Sequence, residues 1–210
     1  MKSKTVFVFL GVLTLLRCVW LAFQGIAPPE AYYWMCADRL APAFFDGPPG
    51  TALLVHGLGM LTGDSLSLIR LAWPILGFAA AWCAWLLARS LFDEAIAGWV
   101  VVALNAIPAF NEQSVTIGPM MPSLVLILAA ALTVAQSRED ITINWYLAAA
   151  FLSLAALFRY EAVLFSLGLC FYLRRSIFEK DRSTIIACAT LVLLPLVFLC
   201  APLAWNASLG

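Results

Sequence analysis

The chain has 210 residues, 64% of them hydrophobic and 11% charged, with 12 Lys and Arg against 12 Asp and Glu and a formal net charge of zero. Soluble domains carry roughly 25% charged residues, so this composition belongs in a bilayer, and the balanced charge gives no electrostatic case for a nucleic-acid partner. Only helices and closed barrels satisfy their backbone groups in lipid, and the apolar runs here are continuous rather than alternating, which selects helices.

The single histidine, His56, argues against a zinc site or a Ser/His/Asp triad. The cysteines Cys18, Cys36, Cys83, Cys170, Cys188 and Cys200 lie mostly inside apolar runs without Cys-x-x-Cys or Cys/His spacing, so they read as packing residues.

The opening Met-Lys-Ser-Lys and the apolar run 5–23 have the outline of a signal peptide. No Ala-x-Ala-like site follows and the downstream sequence is equally apolar, so the segment reads as a first spanning helix with Lys2 and Lys4 in the cytoplasm. Arg17 lies inside it, where a charge demands a partner or a cavity. A buried pairing and a lipid phosphate both fit.

Residues 26–65 are rich in Pro, Gly and aromatics and hold Glu30, Asp38, Asp46 and Asp64, as a non-cytoplasmic loop would. Within it, AYYWMCADRLA and TALLVHGLGML fall short of the about 20 apolar residues that span a bilayer and suit helices in the interface plane. Tyr32, Tyr33 and Trp34 fit the aromatic belt, and His56 reads as interfacial. Glu30 is either a working acid or a solvated cap on the first turn of its helix, where negative charge is favoured. Asp46, in a Phe-Phe-Asp-Gly-Pro-Pro turn, is either catalytic or bonded to local backbone. Arg70, at the outer end of the next helix, is placed to snorkel to headgroups.

The remaining crossings are expected at 66–91, 98–110, 117–136, 143–158, 162–173 and 184–205, about seven in all with the first. Lys2, Lys4, Arg89, Arg138, Arg174, Arg175, Lys180 and Arg182 then fall on the cytoplasmic side, in keeping with the positive-inside rule. The runs 143–158 and 162–173 are short, which would place Arg159 and Glu161 at depth between them. The sequence thus predicts one all-α transmembrane domain over 1–210, with a cytoplasmic N-terminus, a periplasmic C-terminus and a bacterial inner membrane as its setting.

An ordered set of motifs runs through this frame. Pro29-Glu30-Ala31-Tyr32-Tyr33-Trp34 is followed by Phe44-Phe45-Asp46-Gly47-Pro48-Pro49, by Gly63-Asp64 and by Arg70-Leu71; RYEAVLFSLGL and PLAWNASLG come later. The set resembles membrane glycosyltransferases of the type C fold, in the branch of the protein mannosyltransferases and the lipid A aminoarabinose transferase. The resemblance implies transfer of a sugar from a polyprenyl-phosphate donor to an acceptor hydroxyl with inversion. A loop carboxylate would serve as base, since a hydroxyl nucleophile needs a proton acceptor. Cationic side chains would hold the departing phosphate; Arg159, Arg17, Tyr160 and Arg70 are the candidates.

The chain departs from that pattern at three polar positions. The resemblance places an Asp where Pro29 stands, another where Met120 stands in Gly118-Pro119-Met120-Met121-Pro122-Ser123, and a His where Gly47 stands. Proline cannot take a proton, and Glu30 starts one backbone position away, where a displacement of about an ångström costs around a hundredfold in rate. Relatives also run past this length with further helices. The departures favour a catalytically degenerate accessory module that packs against lipids and a larger membrane protein complex. The alternative is a minimal active transferase using Glu30 or Asp46, with a divalent metal as its one conceivable cofactor. A lipid flippase is a third reading, for which few polar residues besides Arg17 lie at the midplane.

Overall fold

The computed structural model describes residues 3–44, 47–136, 141–172 and 182–209. Eleven helices are defined among them, and no strand. In chain order they are α1 (Ser3–Phe23), α2 (Pro28–Asp38), α3 (Gly50–Thr62), α4 (Leu66–Arg70), α5 (Ala72–Leu91), α6 (Glu94–Ala106), α7 (Pro108–Gln113), α8 (Met120–Ala135), α9 (Ile141–Ala156), α10 (Ala162–Tyr172) and α11 (Arg182–Leu209). Asp46, Lys2, Arg138, Arg174, Arg175 and Lys180, which enter the reading of site and topology above, lie outside the described residues.

Among the described residues two stretches are long and apolar enough to cross a membrane, Ser3–Phe23 and Leu66–Leu91, the second joining α4 and α5. Helices α3, α6, α8, α9 and α10 are shorter, and the crossing expected at 98–110 is two helices. Its break has a local cause. Pro108 lacks the N–H that would continue the ladder, and it pushes Ile107 to an extended ψ of 119°. Upstream, the Asp93 side chain caps α6 by accepting from the Ala95 and Ile96 amides, both at 2.8 Å.

Helix packing follows residue size. Ala80, Ala84 and Ala88 recur every fourth residue along α5, are buried, and let α6 and α8 approach its backbone closely. The large side chains Trp73, Trp85, Phe110 and Met121 fill the space around this contact. A second layer forms on α9, where buried Ala148, Ala149, Leu152 and Ala155 face α8 and α11. Helix α8 therefore joins two half-bundles, one built on α5 and one on α9.

Three contacts fix the end of the bundle that carries the candidate site. Trp73 is fully buried and its Nε1–H donates to the Gly118 carbonyl at 3.0 Å, pinning the turn before α8. The Gly50 amide donates to the Leu157 carbonyl at 2.7 Å, so the start of α3 abuts the end of α9. A Cβ on Gly50 would collide with that carbonyl, which explains glycine there. The Gly63-Asp64 pair ends α3 with φ of 63° and 58°, a left-handed turn that Gly and Asp tolerate better than most residues.

The third contact is an ion pair. Arg70 Nε donates to Glu30 Oε1 at 3.0 Å, with side chains only 8% and 0% exposed. Glu30 Oε2 accepts from the Ala27 amide at 2.9 Å, so the acid caps α2 as expected, but it is buried and not solvated. Its Oε1 also accepts from the Ile117 amide at 3.4 Å. Arg70 does not snorkel to the headgroup level: its Nη1 and Nη2 donate to the Gln24 and Gly25 carbonyls, at 3.1 and 3.2 Å. Breaking one side of a buried pair strands a charge, at about 3–5 kcal/mol. Arg70→Leu should therefore lower unfolding stability in detergent by that order, and adding Glu30→Gln should recover part of the loss. Strictly additive losses in thermal melts of the two single variants and the double variant would show the pair to be uncoupled.

Candidate functional site

The turn between α9 and α10 lies against the loop before α3 and the head of α8. Phe158, Arg159, Tyr160 and Glu161 come from the first, Gly47 and Pro48 from the second, Pro119 and Met120 from the third. They enclose a cavity of about 630 Å³, completed by Tyr33 of α2 and Gln113 of α7. A smaller cavity of about 210 Å³ shares Met120, Arg159 and Glu161 with it and runs past Ser123 and Ile127. Ile127 and Phe165 recur in a third, apolar hollow of about 270 Å³ between α8, α9 and α10. Together they form a track from a polar mouth to a hydrocarbon-like groove.

Charge in the mouth is concentrated in one pair. Arg159 Nη2 donates to Glu161 Oε1 at 2.8 Å, and Nε to Oε2 at 3.4 Å. The side chains are 41% and 59% exposed, so water screens the attraction. The hydrogen bond from Arg159 holds the Glu161 carboxyl below its ordinary range, and the same bond raises Arg159 against the opposing effect of its partial burial. Farther in, the Ser123 hydroxyl is 1% exposed and has no partner among the described residues.

The residues singled out in the sequence separate into three places. Arg159 and Tyr160 line the mouth, as do Gly47 and Met120, two of the three substituted positions. Glu30 and Arg70 are consumed by one another behind it. Arg17 lies elsewhere, buried between α1 and the α6–α7 break, where Nη2 donates to Asn105 Oδ1 at 2.8 Å and to Asn111 Oδ1 at 2.6 Å. Asn105 and Asn111 were no part of the sequence-derived site, nor were Gln113 and Ser123. For Ser123 a signal existed, since it stands one turn after Met120 on the same helix face. His56 is exposed, and its Nδ1 lies 3.0 Å from the Ala37 carbonyl, tying α3 to the end of α2.

The family profile of the dolichyl-phosphate-mannose-protein mannosyltransferases matches residues 46–205. The match takes in Gly47, Met120, Arg159 and Tyr160 and begins after the Pro29-to-Trp34 motif. No match was found among curated proteins or among solved structures.

Since the folded-state pKa of Glu161 is depressed, the pair's contribution is present at neutral pH, above the ordinary carboxylate range near about 4.3. It is lost only as pH falls through the lowered value. Carbon-detected NMR of labelled glutamate should find Glu161 titrating below that range and moving up in Arg159→Gln; an unmoved titration would dissociate the two residues. With more than half its length matched and an all-helical, bilayer-like body around the matched cavity, the chain belongs to the dolichyl-phosphate-mannose-protein mannosyltransferase family and is a membrane glycosyltransferase-like protein.

Proposed function

We propose that this protein is a catalytically degenerate accessory member of its family, which holds a polyprenyl-phosphate-linked ligand without transferring the sugar. Family members use polyprenyl-phosphate sugar donors, and the track described above has the two-part chemistry such a ligand needs. A phosphate would meet the Arg159 guanidinium at the mouth, with Tyr160 beside it, and an isoprenoid chain would follow Ile127 and Phe165 into the apolar hollow.

The observation that carries the loss of chemistry is the wall of the mouth. Gly47 and Met120 line it where the resemblance asks for a His and an Asp, and among the described residues its one carboxylate is Glu161, already engaged by Arg159. Pro29 is exposed at the start of α2 and offers no proton acceptor. Glu30 is fully buried, and both of its oxygens are taken by Arg70 and backbone amides. The shorter helices are read as completing seven crossings in a locally thinned bacterial inner membrane, with the N-terminus cytoplasmic and the C-terminus periplasmic. Protein partners would supply the acceptor side and cover the exposed apolar faces.

The runner-up is sugar transfer by a minimal active transferase, by itself or completed by another chain, with Glu30 or Asp46 as the acid. What favours keeping it is that Gly47, next in sequence to Asp46, lines the mouth.

Purified protein in detergent should bind a polyprenyl phosphate, and Arg159→Gln should weaken binding about tenfold or more, the worth of one charge-assisted hydrogen bond. Glu161→Gln, which frees Arg159, should strengthen it. With labelled polyprenyl-phosphate sugars and an acceptor peptide or lipid, the isolated chain should give no product. Turnover that Asp46→Asn or Glu30→Gln abolishes would establish the runner-up instead, and absence of binding in wild type would end both.

A further inference from the structure

The mouth, the middle cavity and the apolar hollow share one wall. Met120, Leu124, Ile127 and Ala131 recur every third or fourth residue along α8, which puts them in a single stripe on that helix. Met120 lines the mouth, Leu124 the middle cavity and Ala131 the hollow, and Ile127 lines both of the last two. On α10, Ala162, Phe165 and Gly168 line the middle cavity and the hollow at a similar spacing. Helix α8 begins at the mouth with Met120, and α10 begins directly after Glu161, so both lead away from it.

This track has a finite length. From Met120 to Ala131 the α8 backbone rises about 16 Å. An extended chain advances about 3.5 Å over three bonds, so the four main-chain bonds of an isoprene unit advance about 5 Å, and about three units fit between the mouth and the far end of the hollow. There Leu152 of α9 is buried on the inner side, while Leu164 and Phe165 of α10 are exposed. A longer chain therefore leaves between exposed apolar side chains into lipid, where further units gain nothing, since lipid tails are as apolar as the wall.

Gly168 stands about 9 Å beyond Ala162 along α10, the depth at which the third unit lies. A Cβ at this position would meet no atom within 4 Å, so a side chain there would extend into open space without displacing a neighbour. Resting on the reading of the mouth as a polyprenyl-phosphate site, we infer that the groove between α8 and α10 selects prenyl chains by length up to about three isoprene units, with Gly168 leaving room for the last of them.

The test compares the full-length wild type with Gly168→Leu in detergent, measuring affinity for dimethylallyl, geranyl, farnesyl, geranylgeranyl and undecaprenyl phosphates. Taking the ratio of the two proteins for each ligand cancels the partition of the ligand into micelles. Dimethylallyl and geranyl phosphates should bind both proteins equally. Farnesyl phosphate should bind the variant about tenfold more weakly, the packing of one isoprene unit against the wall, and the two longer ligands should show the same ratio and no more. Ala131→Leu, which fills the hollow from α8, should reproduce this pattern and keeps the test decisive if Gly168→Leu does not fold. A loss equal at every length, a loss at none, or one that keeps growing beyond farnesyl overturns the length selection while leaving the phosphate site at Arg159 standing, because that site is judged by Arg159→Gln. Failure of wild type to bind any of the five phosphates ends both.

Discussion

The buried Glu30–Arg70 pair governs what the site-bearing end of this molecule can be. Both charges are almost wholly removed from water, a state that is tolerable only when every remaining donor and acceptor is also satisfied. The partners that satisfy them are backbone groups of irregular chain: the Gln24 and Gly25 carbonyls after α1, the Ala27 amide before α2 and the Ile117 amide before α8. None of these atoms has a helical partner of its own. One ion pair thus serves as the common junction of three chain segments, and the Trp73 bond to Gly118 secures the same turn from the other side. A carboxylate so occupied cannot double as an accessible base without dismantling that junction.

A similar economy operates at the break between α6 and α7. Pro108 interrupts the helix, and the freed backbone is recovered by side chains, as helix breaks in membranes require. Asn111 Nδ2 donates to the Asn105 and Ile107 carbonyls at 2.6 and 3.2 Å, and Asn105 Nδ2 to the Val101 carbonyl at 2.9 Å. The two amide oxygens left over both face Arg17. Arg17 therefore holds the break shut with dipoles rather than with a counter-charge.

Much of the architecture was legible in the sequence because apolar runs and prolines act locally. The positions of α1, α2, α3 and α5 follow directly from run length and punctuation. The segment expected to cross at 98–110 is broken at Pro108 into α6 and α7, a stop that Ile107-Pro108 signals in the sequence. Glu30 was recognised as a helix cap but not as buried, since burial depends on Arg70, forty residues away in sequence, arriving at the same point. Arg159 and Tyr160 could be nominated from a motif, whereas Ser123 and Gln113 join them only once α8 and α7 are placed. Pairings between distant elements are tertiary facts that no local periodicity encodes.

Two of the three Arg–Glu pairs among the described residues close to 3.0 Å or less, and burial gives those two opposite characters. Arg70 and Glu30 sit where water cannot compete, so exchanging either partner means stranding a charge. Arg159 and Glu161, at 41% and 59% exposed, are screened and cheap to separate. An incoming phosphate could take the guanidinium and release Glu161 to solvent, with one charge-assisted hydrogen bond replacing another and no net charge left unmatched. The first pair is consequently suited to holding a scaffold and the second to reversible capture of an anion. Under the proposed function Met120, in the same wall as Arg159, fits this division, because a carboxylate at that position would compete with a phosphate for the guanidinium and a thioether would not.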